Sequence, residues 1–363
     1  MRKILIATGW LDVSGIETFI MNIIRNIDRN LFQIDFLLNQ EKDSRYSREA
    51  RVLGSKFYYI PQRKDGLLNY LRSCSKFFKE DGKKYDVLHY CGGSLTSVAV
   101  LYYAKKVGIP NIIAHAHSTS TEGIHNKILH QLNKTFRQNL FNHNLACSKE
   151  AGHFFFGNRD FMILNNGIDI DSFKFQKPIR NKFRLNLGID SDDLVLGHVG
   201  RFVPLKNHKF LIEIFKEFLK IHHNSKLLLV GTGPEEKKIK QIVKENKISD
   251  KVIFLGERAD IPELLWTMDY FLMPSIYEGL PFVLIEAQSA GLRCLVSENV
   301  SKDSKLSDNV VFLPINDNPK EWVECVINWE SKSNNRDSWK DVEERGYNIK
   351  EIVKIVENIY NGK

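Results

Sequence analysis

Pro274-Ser275-Ile276-Tyr277-Glu278-Gly279-Leu280-Pro281-Phe282-Val283-Leu284-Ile285-Glu286-Ala287 follows a short apolar run, Tyr270–Met273, and leads into a helical pattern over Val283–Ala290. Strand, glycine-containing turn and helix in that order form the repeating unit of a parallel sheet, because parallel neighbours need a crossover that a helix supplies. Pro281 stands near the first helical turn, where a missing N–H does no harm. The turn leaves free backbone N–H groups at the helix start, which suit an anion such as a phosphate. Glu278 and Glu286 are eight residues apart, a little over two helical turns, so they share one side at different depths. Carboxylates placed there accept hydrogen bonds from vicinal sugar hydroxyls, each contributing about 1.5–3 kcal/mol net.

The same rhythm extends both ways along the chain. Upstream in the second half, Leu194–Val199, Lys226–Val230 and Val252–Leu255 read as strands, and downstream Cys294–Val296 does too. Helical patterns at Lys209–Ile221, Pro234–Asn246 and Ile261–Met268 separate them. The first half repeats the pattern, with strands at Lys3–Thr8, Gln33–Leu38, Lys56–Ile60, Asp86–Tyr90, Asn111–His115, Asn144–Cys147 and Phe161–Leu164. Glu17–Ile27, Leu95–Val107 and Ile128–Phe141 are its clearest helices. Such alternation predicts α/β architecture with parallel sheets covered on both faces. It breaks once, between Gly167 and Asp193, where Pro178 and a mixed-charge run read as a linker. The expectation is therefore two doubly wound, Rossmann-like domains, residues 1–175 and 176–348. A chain of 363 residues suits two domains of about 150 residues each. A last helix from Ile349 to Tyr360 is free in principle to pack back on the first domain. Ligands of such sheets bind beyond the carboxyl ends of the strands, so two facing domains are expected to share a cleft.

Hydrophobic residues at 43% and charged residues at 26% exclude collagen-like, disordered and coiled-coil classes. No apolar run approaches the roughly 20 residues of a membrane span. Met1-Arg2-Lys3 followed by Ile4-Leu5-Ile6-Ala7 lacks a small-residue cleavage site and reads as a first buried strand. Five scattered cysteines without a CxxC pair point to a reducing cytoplasm. The net charge of +8 is concentrated early: residues 1–170 hold 23 Lys and Arg against 15 Asp and Glu. That imbalance attracts anionic partners. No RNP-type aromatic pattern, helix-turn-helix or zinc finger accompanies it, so nucleic acid is not the expected one. In Leu67–Lys79, Leu67, Leu71, Cys74 and Phe78 recur at helical spacing with Arg72, Lys76 and Lys79 elsewhere on the wheel. This pattern fits either a lipid-facing helix or a core-packed helix with a solvated basic face.

Four further stretches carry chemistry. In Gly197-His198-Val199-Gly200-Arg201-Phe202-Val203-Pro204-Leu205-Lys206, Arg201 and Lys206 leave the second half's first strand at its ligand-facing end. A permanent guanidinium and a mobile ammonium suit a diphosphate. In Ala114-His115-Ala116-His117-Ser118 the two histidines are expected to face opposite sides of a strand, which argues against a shared metal and leaves one active-site imidazole. Asp12-Val13-Ser14-Gly15-Ile16-Glu17 places Gly15 where backbone approaches a ligand, without the G-x-G-x-x-G of dinucleotide sites. Gly231-Thr232-Gly233-Pro234 and Asn165-Asn166-Gly167-Ile168-Asp169-Ile170-Asp171 read as turns, the latter a hinge and not a D-x-D metal site.

Together these motifs resemble the retaining glycosyltransferases of family 4, with the GT-B fold, over nearly the whole chain. The most specific part is the E-x7-E pair Glu278 and Glu286, with Gly200-Arg201, Lys206, Gly231-Thr232-Gly233-Pro234 and His117 around it. Ser14-Gly15-Ile16-Glu17-Thr18-Phe19 and Ala146-Cys147-Ser148-Lys149-Glu150-Ala151 resemble bacterial capsular and exopolysaccharide transferases, although members often carry two glycines where this chain has Ser14-Gly15. The resemblance implies that Arg201 and Lys206 bind the donor diphosphate and stabilise the leaving group. Glu286 would hold the ribose, Glu278 the donor sugar, and the amides of Gly279 and Leu280 the distal phosphate or sugar. Gly15 would also lie against the donor, His117 would support the reacting sugar, and the nucleobase would rest on Gly256-Glu257-Arg258. A nucleotide-sugar, expected to be a UDP-sugar, is then a co-substrate, no cofactor or metal is required, and the acceptor is a lipid-linked saccharide at an anionic inner membrane surface. A non-catalytic scaffold and a same-fold epimerase are the alternatives, separated from transfer by product analysis.

Overall fold

Runs rich in Ile, Leu and Val that are too short for helices become buried strands, and the amphipathic stretches between them return the chain to the same sheet edge. The computed structural model describes residues 1–363 apart from 13, 317 and 331–335, so Val13 of the first-loop motif lies outside the described residues. Contacts divide the chain into an N-terminal unit, Met1–Gly167 with Ile349–Lys363, and a C-terminal unit, Ile168–Asn348.

In the N-terminal unit the strands are β1 (Arg2–Thr8), β2 (Phe32–Leu38), β3 (Phe57–Tyr59), β4 (Val87–Gly92), β5 (Asn111–Ala116), β6 (His143–Ala146) and β7 (Met162–Ile163). They form one parallel sheet in the order β3-β2-β1-β4-β5-β6-β7. In the C-terminal unit β8 (Leu194–Val199), β9 (Ser225–Val230), β10 (Val252–Gly256), β11 (Tyr270–Met273), β12 (Arg293–Ser297) and β13 (Val310–Leu313) form a second parallel sheet in the order β10-β9-β8-β11-β12-β13. Both are doubly wound: the strand order reverses beside β1 in one and beside β8 in the other, and each reversal opens a crevice at the carboxyl ends. Central strands are buried on both faces, as every residue of β5 and of β12 shows. Leu88, Phe78 and Phe155 anchor the first core, and Phe215, Leu227 and Trp322 the second.

The expected linker is structured. Lys177–Asn186 is a helix with Pro178 in its first turn, and the unit boundary falls at 167/168, ahead of the expected 175/176. Its mixed charge has a half-buried partner far along the chain. Arg180 pairs with Asp269 at 2.7 Å and Arg184 pairs with it at 3.0 Å. Arg180 Nη1 also donates to the carbonyls of Trp266, Thr267 and Met268. Asp269 in turn accepts from the Val195 amide at 2.9 Å, at the start of β8. These arginines tie the helix to the second sheet; they are not solvated linker charges. Ile349–Tyr360 is a helix on the N-terminal unit, against the helix Gly15–Asn26. Its Ile359 carbonyl accepts from Asn111 Nδ2 at 2.7 Å. The basic segment at 67–79 lies in the helix Leu67–Glu80, where Tyr70, Cys74, Phe77 and Phe78 pack into the first core while Leu67 and Leu68 are exposed.

Candidate functional site

The reversal beside β8 decides which loops meet in the C-terminal unit. β8 and β11 are hydrogen-bonded neighbours, and the segments leaving their carboxyl ends carry Arg201 with Lys206 and Glu278 with Glu286. After β8 the chain makes a 3-10 turn, Pro204–Lys206, then a left-handed Asn207 (φ 53°) that opens the helix His208–Leu219. The Leu205 carbonyl at this turn accepts from the Ile276 amide at 2.8 Å, which aligns the two loops. Lys206 Nζ then lies 2.6 Å from Glu278 Oε1, with both side chains more than four-fifths buried. Glu278 is held from behind as well, its carbonyl accepting from the Ser301 amide at 3.0 Å.

Among the described residues, no hydrogen bond or ion pair joins the side chains of the other predicted residues of this unit to the pair. The Arg201 side chain is exposed and has no protein partner among the described residues. Glu286 lies in the helix Phe282–Ser289, half-buried and likewise without a protein partner, and burial pushes its carboxyl up to about 7. Gly279 is exposed, and a Cβ there would meet open space. Glu257 and Arg258 are exposed just past β10, but Arg258 is taken by Asp260 at 2.5 and 2.8 Å.

Two glycines set how closely these loops approach. Gly231 has φ 129°, and a Cβ there would stand 2.1 Å from the Gly200 carbonyl oxygen. At Gly233 it would stand 2.5 Å from the carbonyl oxygen of Phe202. The Phe202 amide donates to the Thr232 carbonyl at 2.9 Å and the Glu235 amide to the Phe202 carbonyl at 3.0 Å. Gly231-Thr232-Gly233-Pro234, read from sequence as a turn, is thus the shelf on which Arg201 is mounted. Sequence reasoning also passed over His198 and His208. His198 bonds the Leu272 carbonyl through Nδ1 at 2.7 Å, and His208 stacks on Phe202 with ring centres 4.1 Å apart. Burial holds both rings neutral, His208 at about 4 and His198 well below its ordinary value.

In the N-terminal unit the expectation that His115 and His117 face opposite sides is wrong. Positions two apart on a strand share a face, and the ring centres are 4.0 Å apart. A buried chain of rings leads away from them. His115 Nδ1 is 3.2 Å from His89 Nε2, and His89 Nδ1 is 2.8 Å from the Tyr360 hydroxyl. Burial, with a neighbouring imidazole, pushes His117 down to about 3, and burial takes His89 to about 3 as well. These rings are neutral at physiological pH, so His117 offers hydrogen bonds and no charge. Cys91 joins His89 and His115 with ligand atoms within 4.8 Å of one another, a donor set that zinc accepts. An ion there would have to displace the His89–His115 bond. Nearby, a pocket of about 320 Å³ opens past β1 and β4, lined by Thr8, Trp10, Glu17, Asn39, Tyr90 and Thr96 among others. Glu17 is buried, which raises its carboxyl, while its bond from Ser14 works in the opposite sense. A Cβ at Gly15 would meet nothing within 4 Å, so space for a ligand remains beside it.

Comparison with known proteins gives this geometry a family. Residues 13–172 match Glycosyltransferase Family 4 and residues 179–345 match Glycosyl transferases group 1. The chain is 30% identical over 372 residues to the "Putative glycosyltransferase EpsF" of Bacillus subtilis, covering 99% of this chain and 96% of that one. It is 27% identical to the "UDP-Gal:alpha-D-GlcNAc-diphosphoundecaprenol alpha-1,3-galactosyltransferase" of Escherichia coli, over 69% of this chain and 68% of the other. In fold it is similar to Alr3699/HepE of Anabaena, solved with UDP and glucose, with a TM-score of 0.77 and 18% identity over 100% of both chains. That likeness bears out the two-unit, parallel-sheet GT-B fold. The chain belongs to the family 4 glycosyltransferases.

Proposed function

We propose that this glycosyltransferase moves a hexose from a UDP-sugar to a lipid-linked saccharide, in capsular or exopolysaccharide synthesis, at the inner face of the cell membrane. The carrying observation is the Lys206–Glu278 ion pair where the loops after β8 and β11 meet, with the unpartnered Glu286 in the helix that follows. In the ligand-free protein Lys206 and Glu278 neutralise each other. A diphosphate competes for Lys206 and recruits the free Arg201, which releases Glu278 to accept from a sugar hydroxyl. Glu286 receives the ribose hydroxyls, and the open backbone at Gly279 and Leu280 receives the distal phosphate or sugar. The nucleobase lies along Gly256-Glu257-Arg258. The name of the Escherichia coli relative, with its UDP-galactose donor and diphosphoundecaprenol acceptor, supports both substrate classes. The acceptor saccharide occupies the pocket of the N-terminal unit, where Trp10 offers an aromatic face and Glu17 and Asn39 polar contacts.

Transfer proceeds with retention. The acceptor oxygen bonds to the anomeric carbon on the face from which the diphosphate departs, the carbon–oxygen bond to phosphate breaks, and a phosphate oxygen takes the acceptor proton. Arg201 and Lys206 offset the growing negative charge, so no metal is needed, and neutral His117 hydrogen-bonds the reacting sugar. A panel of UDP-, GDP- and ADP-sugars, followed by thermal stabilisation and by product analysis in EDTA, tests this reading. UDP-sugars are expected to stabilise the protein and to yield one added residue on the acceptor. Arg201→Ala and Glu286→Ala are expected to lose that stabilisation while still folding, with turnover in Arg201→Ala down about 10²–10³-fold. Unchanged donor affinity in both variants contradicts the site. Binding without turnover points to a scaffold, and release of an epimerised nucleotide-sugar to an epimerase.

A further inference from the structure

A surface helix normally turns its apolar side to the core. The helix Ile124–Phe136 does the reverse. Its attachments are polar: His130 Nδ1 accepts from the Leu95 amide at 3.0 Å, and His130 Nε2 lies 3.0 Å from the Phe154 carbonyl. Asn133 donates to the Leu95 carbonyl at 2.7 Å and Lys134 to the Phe154 carbonyl at 3.1 Å. Asn126 accepts from Arg63 at 2.9 Å. Ile124, Ile128, Leu132 and Phe136 are meanwhile 66%, 53%, 50% and 72% exposed. At about 100° per residue these four sweep an arc of roughly 120° centred opposite His130. A contiguous exposed apolar stripe of this kind marks an interaction surface.

Charge and shape indicate what covers it. From residue 123 to 149 the chain has no Asp or Glu, but it carries Lys127, Lys134, Arg137 and Lys149. The whole N-terminal unit holds 26 Lys and Arg against 16 Asp and Glu, whereas the C-terminal unit holds 26 against 28. Along one flank of the helix runs a groove of about 440 Å³, lined by Leu67, Leu71, Tyr102 and Leu129 and edged by Arg63 and Arg137. An apolar channel with guanidinium groups at its rim matches an acyl chain below an anionic headgroup. A second copy of this chain fits poorly, since it would bring the same basic, acid-free helix against itself.

We propose that the helix Ile124–Phe136 and the adjoining groove form the face that docks on an anionic lipid bilayer, with the helix lying in the interface. Among the described residues no helix is long and apolar enough to cross a membrane, and a helix lying in the surface needs no such length. This rests on and deepens the membrane part of the proposed function: it puts the helix Ile124–Phe136 at the lipid, with Leu67 and Leu71 of the basic helix Leu67–Glu80 lining the groove beside it.

Flotation of the full chain with vesicles of phosphatidylcholine, with and without phosphatidylglycerol, tests it. The protein is expected to float only with the anionic vesicles. Ile128→Asp combined with Phe136→Asp, both at exposed positions, is expected to keep the thermal midpoint and weaken vesicle affinity by about 100-fold. Lys127→Glu combined with Arg137→Glu is expected to remove the preference for phosphatidylglycerol. Wild-type affinity in the Asp double variant overturns the proposal. So does a wild-type dimer, seen by light scattering, that the Asp variant dissociates while neither protein binds vesicles. Hydrolysis of soluble UDP-sugars, measured alongside, separates the two readings: vesicle binding without any donor turnover leaves the docking face standing and removes the proposed reaction.

Discussion

Glu286→Gln is expected to make the protein more stable and less active at once. The carboxyl is half-buried, has no protein partner among the described residues and is pushed from 4.5 up to about 7 by burial alone. Below pH 4.5 the group is protonated in both folded and unfolded chains and contributes nothing to the pH dependence. Between 4.5 and 7 the folded chain binds the extra proton, so stability falls as pH rises. Above 7 the folded protein carries a desolvated carboxylate at its full cost. A rise of this size converts to at most about 3 kcal/mol, a cost that glutamine, with nothing to ionise, does not incur. For a unit of this size the gain corresponds to roughly 6–12 °C in the unfolding midpoint. Urea or thermal unfolding of both proteins at pH 4.5, 6 and 8 reads it directly. The variant should gain nothing at 4.5, part at 6 and the full difference at 8, and added UDP should narrow the gap by stabilising only the wild type. A pH-independent difference, or a less stable variant at pH 8, refutes the picture of Glu286 as a carboxylate held without a partner for a ligand.

Asp269→Ala strands two half-buried guanidinium groups and the Val195 amide, so a loss of about 3–5 kcal/mol is expected in urea unfolding; a loss below 1 kcal/mol would mean that Arg180 and Arg184 do not depend on it. Gly231→Ala drives a Cβ into the Gly200 carbonyl at a φ that L residues avoid, which should cost about 2–5 kcal/mol and weaken UDP binding through displacement of Arg201. Tyr360→Phe removes the hydroxyl that hydrogen-bonds His89 Nδ1 and is expected to lower stability by about 1–3 kcal/mol; an unchanged midpoint would show that the ring chain does not need that hydroxyl.

The two sheets were legible because their signal is local. A buried parallel strand is a short apolar run, and Leu194–Val199 and Tyr270–Met273 fall where the runs put them. The carboxyl-end residues followed from the same pattern, since strand order alone brings the loops after β8 and β11 together. What was not legible depends on distant partners. Lys177–Asn186 looks like a linker until Asp269, far along the chain, is seen to hold its arginines. The strand Val310–Leu313 went unread because its small run is completed only by pairing with β12. The outward apolar side of Ile124–Phe136 is invisible to periodicity, which reports that a helix has two faces and not which one looks inward. The misplacement of His115 and His117 was different in kind, an error about strand geometry that the alternation rule itself corrects.

The N-terminal unit is closed by residues 349–363. A ribosome that has made the first 167 residues has therefore released a sheet with one flank bare, and His89 still lacks the tyrosine that will meet it. Only after the entire second unit has emerged does the missing helix arrive. During that interval the earlier half depends on the later one for completion, so a premature stop anywhere before the helix damages the part of the molecule translated first.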